Sequence, residues 1–269
     1  MNVLNFIKPI TDRLSKMVPE ARFKDPLRAL FYNAFNPDCK MKVLGNGEFL
    51  IQVRGTSFRV AHVPAFEIGN DLIALRGYLH GLTLAPGSVV VDAGASGSGI
   101  ATMCLSRMVG DTGRVLALEP DKKSLEMLEK NLRLNNIKNV TTLNQGLWNR
   151  EETLTFNSGM GQSSSVAFTN GESGTGTIKL NCIDLDQLLK HLQIPKVDFI
   201  KMDIEGAEIE ALEGMKNLLQ AGGLGLAIAS YHYRDGKQTY LALENTFRQL
   251  GYEVHTGHPI HLTTYARKA

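Results

Sequence analysis

From residue 86 onward, two hydrophobic periods take turns along the chain. Short apolar runs rich in β-branched residues, Val89 to Ala93, Arg114 to Leu118, Val140 to Leu143, Val197 to Met202 and Leu224 to Ser230, read as buried strands. Between most of them the spacing changes to three and four. Leu125, Leu128 and Leu132 after Pro120, and Ile209, Leu212 and Met215 after Glu205, each form the core-facing stripe of a helix. Such alternation predicts a mostly parallel, doubly wound sheet. Gly251 to His255 and His261 to Arg267, joined through Thr-Gly-His-Pro, add an antiparallel closing pair and bring the sheet to seven strands.

Residues 1–85 follow another pattern and are expected to form an extension that packs on a body spanning residues 86–269. Ile7, Ile10, Leu14 and Met17 predict a short amphipathic helix over 5–18, docked on the body or on a homodimer partner. Met41 to Leu44, Glu48 to Val53 and Ser57 to Val60 are β-rich runs parted by Gly45-Asn46-Gly47 and Gly55-Thr56, a small meander expected to cover the mouth of a site. Residues 157–177, rich in Gly, Ser, Thr and Asn, interrupt the alternation as a flap or hairpin tip would.

Composition narrows the class. With 269 residues, 43% hydrophobic and 21% charged, the chain is an ordinary globular protein, and a net charge of +2 with scattered Lys and Arg gives no strong nucleic-acid signal. Cys39, Cys104 and Cys182 show neither CxxC nor Cys/His spacing, which predicts buried thiols in a reducing compartment and no zinc-type centre. The first ten residues carry only short apolar runs and an early Pro9, so neither a signal peptide nor a transmembrane segment is expected, and a cytoplasmic location follows.

The candidate chemistry sits where strands end. Val89-Val90-Val91-Asp92 breaks into Gly94-Ala95-Ser96-Gly97-Ser98-Gly99, whose glycines let the backbone approach a ligand in front of a helix N-terminus. The spacing is GxxGxG, distinct from the dinucleotide GxGxxG. Glu119 ends the next strand, where a carboxylate accepts hydrogen bonds from both hydroxyls of a ribose. A further strand delivers Lys201-Met202-Asp203-Ile204-Glu205-Gly206-Ala207-Glu208 to a helix start, and the last parallel strand ends at Tyr231-His232.

Leu118-Glu119-Pro120-Asp121, Lys130-Asn131-Leu132-Arg133-Leu134-Asn135-Asn136, Ser163-Ser164-Ser165 and above all the string from Lys201 to Glu208 resemble the FkbM-type S-adenosylmethionine-dependent methyltransferase family over residues 86 to about 230. The resemblance implies an α/β class I methyltransferase (Rossmann-like) fold, S-adenosyl-L-methionine as cofactor, and O-methylation of a hydroxyl on a sugar, glycan or small natural product. Asp92, Gly94 and Ala95 match the family's first cofactor loop, Glu119 its ribose acid, and Asp203 to Gly206 its fourth-strand motif. Gly97, Gly99, Pro120 and Gln145 complete the expected cofactor set, to which Asp203 also belongs. Two departures stand out. The glycine loop is one residue longer than the family's DxGAxxG form, and Ala229-Ser230-Tyr231-His232 replaces its Glu-x-His ending, so that only His232 carries over.

Methyl transfer to an alcohol needs alignment and removal of a proton, and Asp203, Glu205 and His232 are the candidate catalytic residues. His232 has the intrinsic pKa of a base acting near neutral pH, while Asp203 suits orientation of the cofactor or of the acceptor hydroxyl. The three also have donor chemistry for a divalent ion, although no metal site is assigned. Rival readings find less support. Tyr233 and Lys237 have Tyr-x-x-x-Lys spacing, yet Arg-Asp-Gly between them signals a turn where a hydride-transferring dehydrogenase needs a helix. A base-methylating Asn/Asp-Pro-Pro-aromatic turn is absent. Methylation of RNA hydroxyls, and a module that binds the cofactor without catalysis, stay open.

Overall fold

The computed structural model describes residues 24–157 and 177–268 apart from positions 37, 62, 235, 259 and 260. The expected helix over 5–18, Ser163 to Ser165 and all but the ends of the 157–177 stretch lie outside the described residues. The chain opens with α1 (Lys24–Phe35), then β1 (Cys39–Gly45), β2 (Glu48–Val53) and β3 (Thr56–Ala61), which pair antiparallel, and α2 (Ala65–Tyr78). The body follows as β4 (Val89–Ala93), α3 (Ile100–Val109), β5 (Arg114–Leu118), α4 (Lys122–Leu134), β6 (Val140–Leu143), β7 (Gly146–Leu147), β8 (Glu152–Asn157) and β9 (Thr177–Ile183). It continues with α5 (Leu185–His191), β10 (Phe199–Met202), α6 (Glu208–Glu213), α7 (Lys216–Ala221) and β11 (Gly225–Ala229). A hairpin of β12 (Tyr233–Arg234) and β13 (Lys237–Gln238), then α8 (Tyr240–Gln249), β14 (Glu253–Gly257) and β15 (Thr263–Arg267), complete it.

The main sheet has seven strands in the order β14-β15-β11-β10-β4-β5-β6, parallel from β11 to β6, with β15 antiparallel to both its neighbours. This is the doubly wound class I methyltransferase sheet. Period-two alternation splits its buried side chains between two cores. Val90, Val115 and Ala117 join the core shared with α2, α3 and the β1–β3 sheet, while Val91, Ala93, Leu116 and Leu118 join the core shared with α5 to α8. Because β4 is flanked by β5 on one side and β10 on the other, the winding reverses between β4 and β10. A crevice opens there beyond the strand ends.

One expected helix divides. The stripe Ile209, Leu212, Met215 runs past the end of α6, Met215 lying between α6 and α7, and Gly214 beside it sits against other backbone: a Cβ added there would lie 2.1 Å from the carbonyl oxygen of Trp148. Asp186 then restarts the chain by accepting from the amides of Asn217 (2.8 Å) and Leu218 (3.1 Å). Tyr233 and Lys237 lie on the β12–β13 hairpin, as the turn signal requires.

The paired asparagines of α4 have a structural task. At positions i and i+4 they share one helix face, and that face meets the free edge of β3. The Asn135 side chain accepts from the Arg59 amide (2.8 Å) and donates to its carbonyl (2.7 Å), as a neighbouring strand would. Fully buried Asn131 accepts from the Ala61 amide (2.9 Å) and donates to the carbonyls of Gly97 (3.1 Å) and Ser98 (3.3 Å). One amide therefore ties the N-terminal sheet to the glycine loop. Asn131→Ala leaves a buried donor unsatisfied and is expected to cost about 1–3 kcal/mol of stability in a denaturant titration, whereas Leu27→Ala, on the exposed face of α1, should change it by less than about 0.5 kcal/mol.

Candidate active site

Asp92 of β4 and Lys201 of β10 are register partners at the switch point. Their side chains point to the face covered by α2 and α3, and both are buried, with Lys201 Nζ 3.0 Å from Asp92 Oδ1. Thr102 of α3 donates to the other carboxylate oxygen at 2.6 Å. The ammonium also donates to the carbonyl of Gly94 at 2.5 Å and lies 5.2 Å from the centre of the Tyr78 ring. Burial alone would lower the pKa of Lys201, but Asp92 and Asp203 outweigh it and hold the group above its ordinary value. The lysine is therefore a permanent buried cation beneath two loops.

The first of these loops is the glycine run. Gly94 has φ +75°, and a Cβ there would fall 1.9 Å from the carbonyl oxygen of Asp203, so only glycine lets the two strand-end loops touch. Ser96 and Glu205, one in each loop, are non-glycine residues with φ of 62° and 57°. Ser96 is fixed from both sides, its amide donating to Glu119 Oε2 (3.0 Å) and its hydroxyl to Asp71 of α2 (3.0 Å); the Ser98 hydroxyl donates to Asp71 as well. Glu119 Oε1 accepts from the Asp121 amide at 3.0 Å. Burial raises the pKa of Glu119, an effect only partly offset by these two amides. Each of its oxygens keeps a further lone pair for a ligand. Gly97, Gly99 and Ala95 are buried within the loop, Pro120 and Gln145 are half-buried beside it, and Asp92 is wholly occupied beneath it.

Asp203 begins the second loop. The Tyr78 hydroxyl donates to Oδ2 at 2.6 Å, and the Tyr231 hydroxyl lies 3.3 Å from each oxygen. Burial favours the neutral acid, yet Lys201, His232, His261 and the Tyr78 hydroxyl outweigh it and hold the carboxyl below its usual range. Since Tyr78 spends its one proton on Asp203, its oxygen is left to accept from His261 Nε2 at 3.1 Å, which places the proton of a neutral His261 on that nitrogen. Burial pushes the His261 pKa down to about 4. The rings of Tyr78 and Tyr231 meet His261 edge-on, with centroids 4.8 and 4.9 Å away.

His232 lies among carboxylates. Its Nδ1 is 3.1 Å from Glu208 Oε1, and its Nε2 is 3.7 Å from both Asp203 Oδ1 and Glu205 Oε2. Burial opposes protonation, but Glu205, Glu208 and Asp203 together push the pKa up to about 10. The three carboxylates around the ring thus favour its protonated form, against the ordinary imidazole pKa of about 6.5. Glu205 is the exposed member, while Glu208 is fully buried and opens α6. Glu208 Oε1 accepts from the amides of Ile204 (3.3 Å) and Gly206 (3.2 Å), and Arg234 clamps the loop from outside through the Gly206 carbonyl (2.9 Å) and a bidentate pair with Glu210. One donor atom each from Asp203, Glu208 and His232 falls within 4.8 Å of the others, close enough to share a metal ion. Glu208 Oε2 is buried and has no hydrogen-bond partner among the described residues.

A family model described as the FkbM methyltransferase domain matches residues 92–254, more than half the chain. The chain belongs to the FkbM methyltransferase family. Asp92, the glycine loop, Glu119 and the Lys201 to Glu208 string all lie inside the matched region. A solved FkbM methyltransferase from Methylobacillus flagellatus KT has the same fold, with a TM-score of 0.53 at 23% identity over 72% of this chain and 47% of that one. The AMB antimetabolite synthetase AmbE of Pseudomonas aeruginosa is 27% identical over 212 residues, 65% of this chain and 10% of AmbE. The hexuronic acid methyltransferase AglP of Haloferax volcanii is 38% identical over 53 residues, 20% of this chain and 22% of AglP. This FkbM chain thus spans less than half the length of each of these proteins.

Four residues of the cluster escaped sequence reasoning: Asp71 and Tyr78 on α2, Glu208, and His261. Glu208 stood in the quoted string, but an acid in the first turn of a helix reads by default as a partner of the helix dipole. The titration behaviour of the two histidines is directly testable. In histidine-resolved NMR, His232 should remain protonated through neutral pH and titrate near pH 10, while His261 should stay neutral down to about pH 4. Because the folded pKa of His232 lies above the ordinary 6.5, its contribution to stability is complete below pH 6.5 and is lost as pH rises toward 10. A His232 midpoint near pH 6.5 would contradict the carboxylate cage.

Proposed function

We propose that this chain is an S-adenosylmethionine-dependent O-methyltransferase acting on a hydroxyl of a sugar, glycan or small natural product. The observation that carries the reading is the meeting of the two strand-end loops at Gly94 and Asp203, with Glu119 on one side and an ionised Asp203 on the other. The donor set suits the cofactor. Glu119 has lone pairs for ribose hydroxyls, and the Asp71 carboxylate beside Ser96 and Ser98 offers a partner for an ammonium; Gly97, Gly99, Pro120 and Gln145 complete the cofactor set in this reading.

When bound, S-adenosylmethionine supplies a methyl group already activated by its sulfonium. What remains for the protein is to hold the acceptor hydroxyl in line and to take its proton. Asp203 does both in this reading. A carboxylate below its usual pKa is a weak base, but the proton of a hydroxyl oxygen becomes strongly acidic as that oxygen is alkylated, so a weak base is sufficient. His232, whose carboxylate neighbours favour its protonated form, is the poorer acceptor; with Lys201 it keeps Asp203 ionised, and Glu205 stands at the exposed rim of the same group. AglP, by its name, methylates a hexuronic acid, which favours a sugar as acceptor class.

Two variants separate binding from chemistry. Glu119→Ala should weaken S-adenosylhomocysteine binding by about 1.5–3 kcal/mol in calorimetry, and unchanged affinity would remove the ribose assignment. Asp203→Asn should keep that affinity and the melting temperature while lowering transfer from labelled cofactor to a sugar acceptor by about 10²-fold or more. Full turnover in this variant would pass the proton to another group.

A further inference from the structure

Leu79 and His80, which follow Tyr78 out of α2, border a cavity of about 480 Å³ that contains none of the active-site residues. Its polar lining comes from four parts of the chain: Asp38 before β1, Arg54 in the β2–β3 turn, Arg76 and His80 at the end of α2, and His258 between β14 and β15. The volume is in the range of small-molecule sites.

The lining is cationic. Two guanidinium groups and two imidazoles stand with a single carboxylate among the described lining residues, that of Asp38, which is 72% exposed and 3.7 Å from Arg76 Nη2. Such a pair neutralises little. Arg76 also donates to Asn36 Oδ1 at 3.1 Å, and Arg54 donates to the carbonyl of Leu79. These bonds fix the two forks in place and leave further N–H donors on each for a ligand. His258 registers these neighbours: burial first, then Arg76 and His80, hold it below its ordinary pKa. Its Nδ1 is buried and finds no hydrogen-bond partner among the described residues.

The backbone adds an internal control. The β1–β2 turn uses Asn46-Gly47 with φ of 52° and 76°, the residues that such a left-handed turn favours. The β2–β3 turn repeats the geometry with Arg54-Gly55 at 48° and 75°. Arginine is not a residue that this turn selects; the bond to Leu79 and the cavity account for it. His258, at φ 67°, is likewise held left-handed at the cavity wall.

We infer that this cavity binds the oxyanion group, phosphate or carboxylate, of a small molecule, with Arg54 and Arg76 as the gripping forks and His80 and His258 beside them. Planar guanidinium groups recognise such oxyanions in bidentate fashion. The inference does not depend on methyl transfer. The oxyanion has two sources: a substituent of the methyl acceptor, or a separate anionic metabolite.

The test is histidine-resolved NMR of the full chain titrated with inorganic phosphate, and then with a hexose phosphate and a hexuronate. Saturable shifts of His80 and His258 are expected. Arg54→Gln and Arg76→Gln should each weaken them by about tenfold, and Arg76→Lys, which keeps the charge but not the fork, should lose less. Should a glutamine variant fail to fold, His258→Gln read by calorimetry with phosphate serves in its place and should weaken binding. If the sugar-linked anion binds more tightly than phosphate and also shifts the Tyr78 and Tyr231 resonances, the site belongs to the acceptor; equal affinity without those shifts identifies a separate metabolite. The absence of saturable shifts, or shifts indifferent to every Arg and His variant, would overturn the proposal.

Discussion

The arrangement depends on one buried ion pair. Lys201 and Asp92 face each other across neighbouring parallel strands at the point where the sheet reverses its winding, both out of reach of water. Taking two charges from water is costly, and the mutual attraction repays it only with good geometry and further hydrogen bonds. Here Thr102 completes the carboxylate, and the Gly94 carbonyl takes a hydrogen bond from the ammonium. The same cation lowers the pKa of Asp203. A single lysine thus supports the first loop from beneath and sets the charge state of the second.

Around that pair the N-terminal residues act as part of the site. The β1–β3 sheet packs on α3 and α4 and is stitched to the body by Asn131 and Asn135. Helix α2 reaches the strand ends, contributing Asp71 to the glycine loop and Tyr78 to Asp203. Both contacts of this helix are made at the strand ends. Asp203 in turn is surrounded by groups that each leave it an anion: two phenols, a buried lysine and an imidazolium.

Much of the fold was legible because the central strands, buried on both faces, read as continuous apolar runs, and all seven strands of the main sheet fall close to where the pattern puts them. The strand-end acids were legible for the same reason, since polar residues after such a run stand at the carboxyl edge. What sequence reasoning missed was brought together by topology. Tyr78 and His261 lie 125 and 58 positions from Asp203 along the chain and carry no local motif. The surroundings of His232 were likewise invisible: the sequence carries only its ordinary pKa, and the packing of Glu205, Glu208 and Asp203 about the ring pushes that upward. The break at Gly214 escaped because the apolar stripe continues across it, while the backbone of Trp148 packed against this glycine comes from another loop.

The most direct measurement of this account is a double-mutant cycle on Lys201→Met and Asp92→Asn, read as S-adenosylhomocysteine affinity by calorimetry. Each single change leaves a buried partner uncompensated and should distort the loops held by the pair, so each should weaken binding by about tenfold or more. The double variant should bind no more weakly than the worse single one, because the two residues act as a unit. Additive losses, or single variants with full affinity, would contradict the claim that this ion pair organises the site.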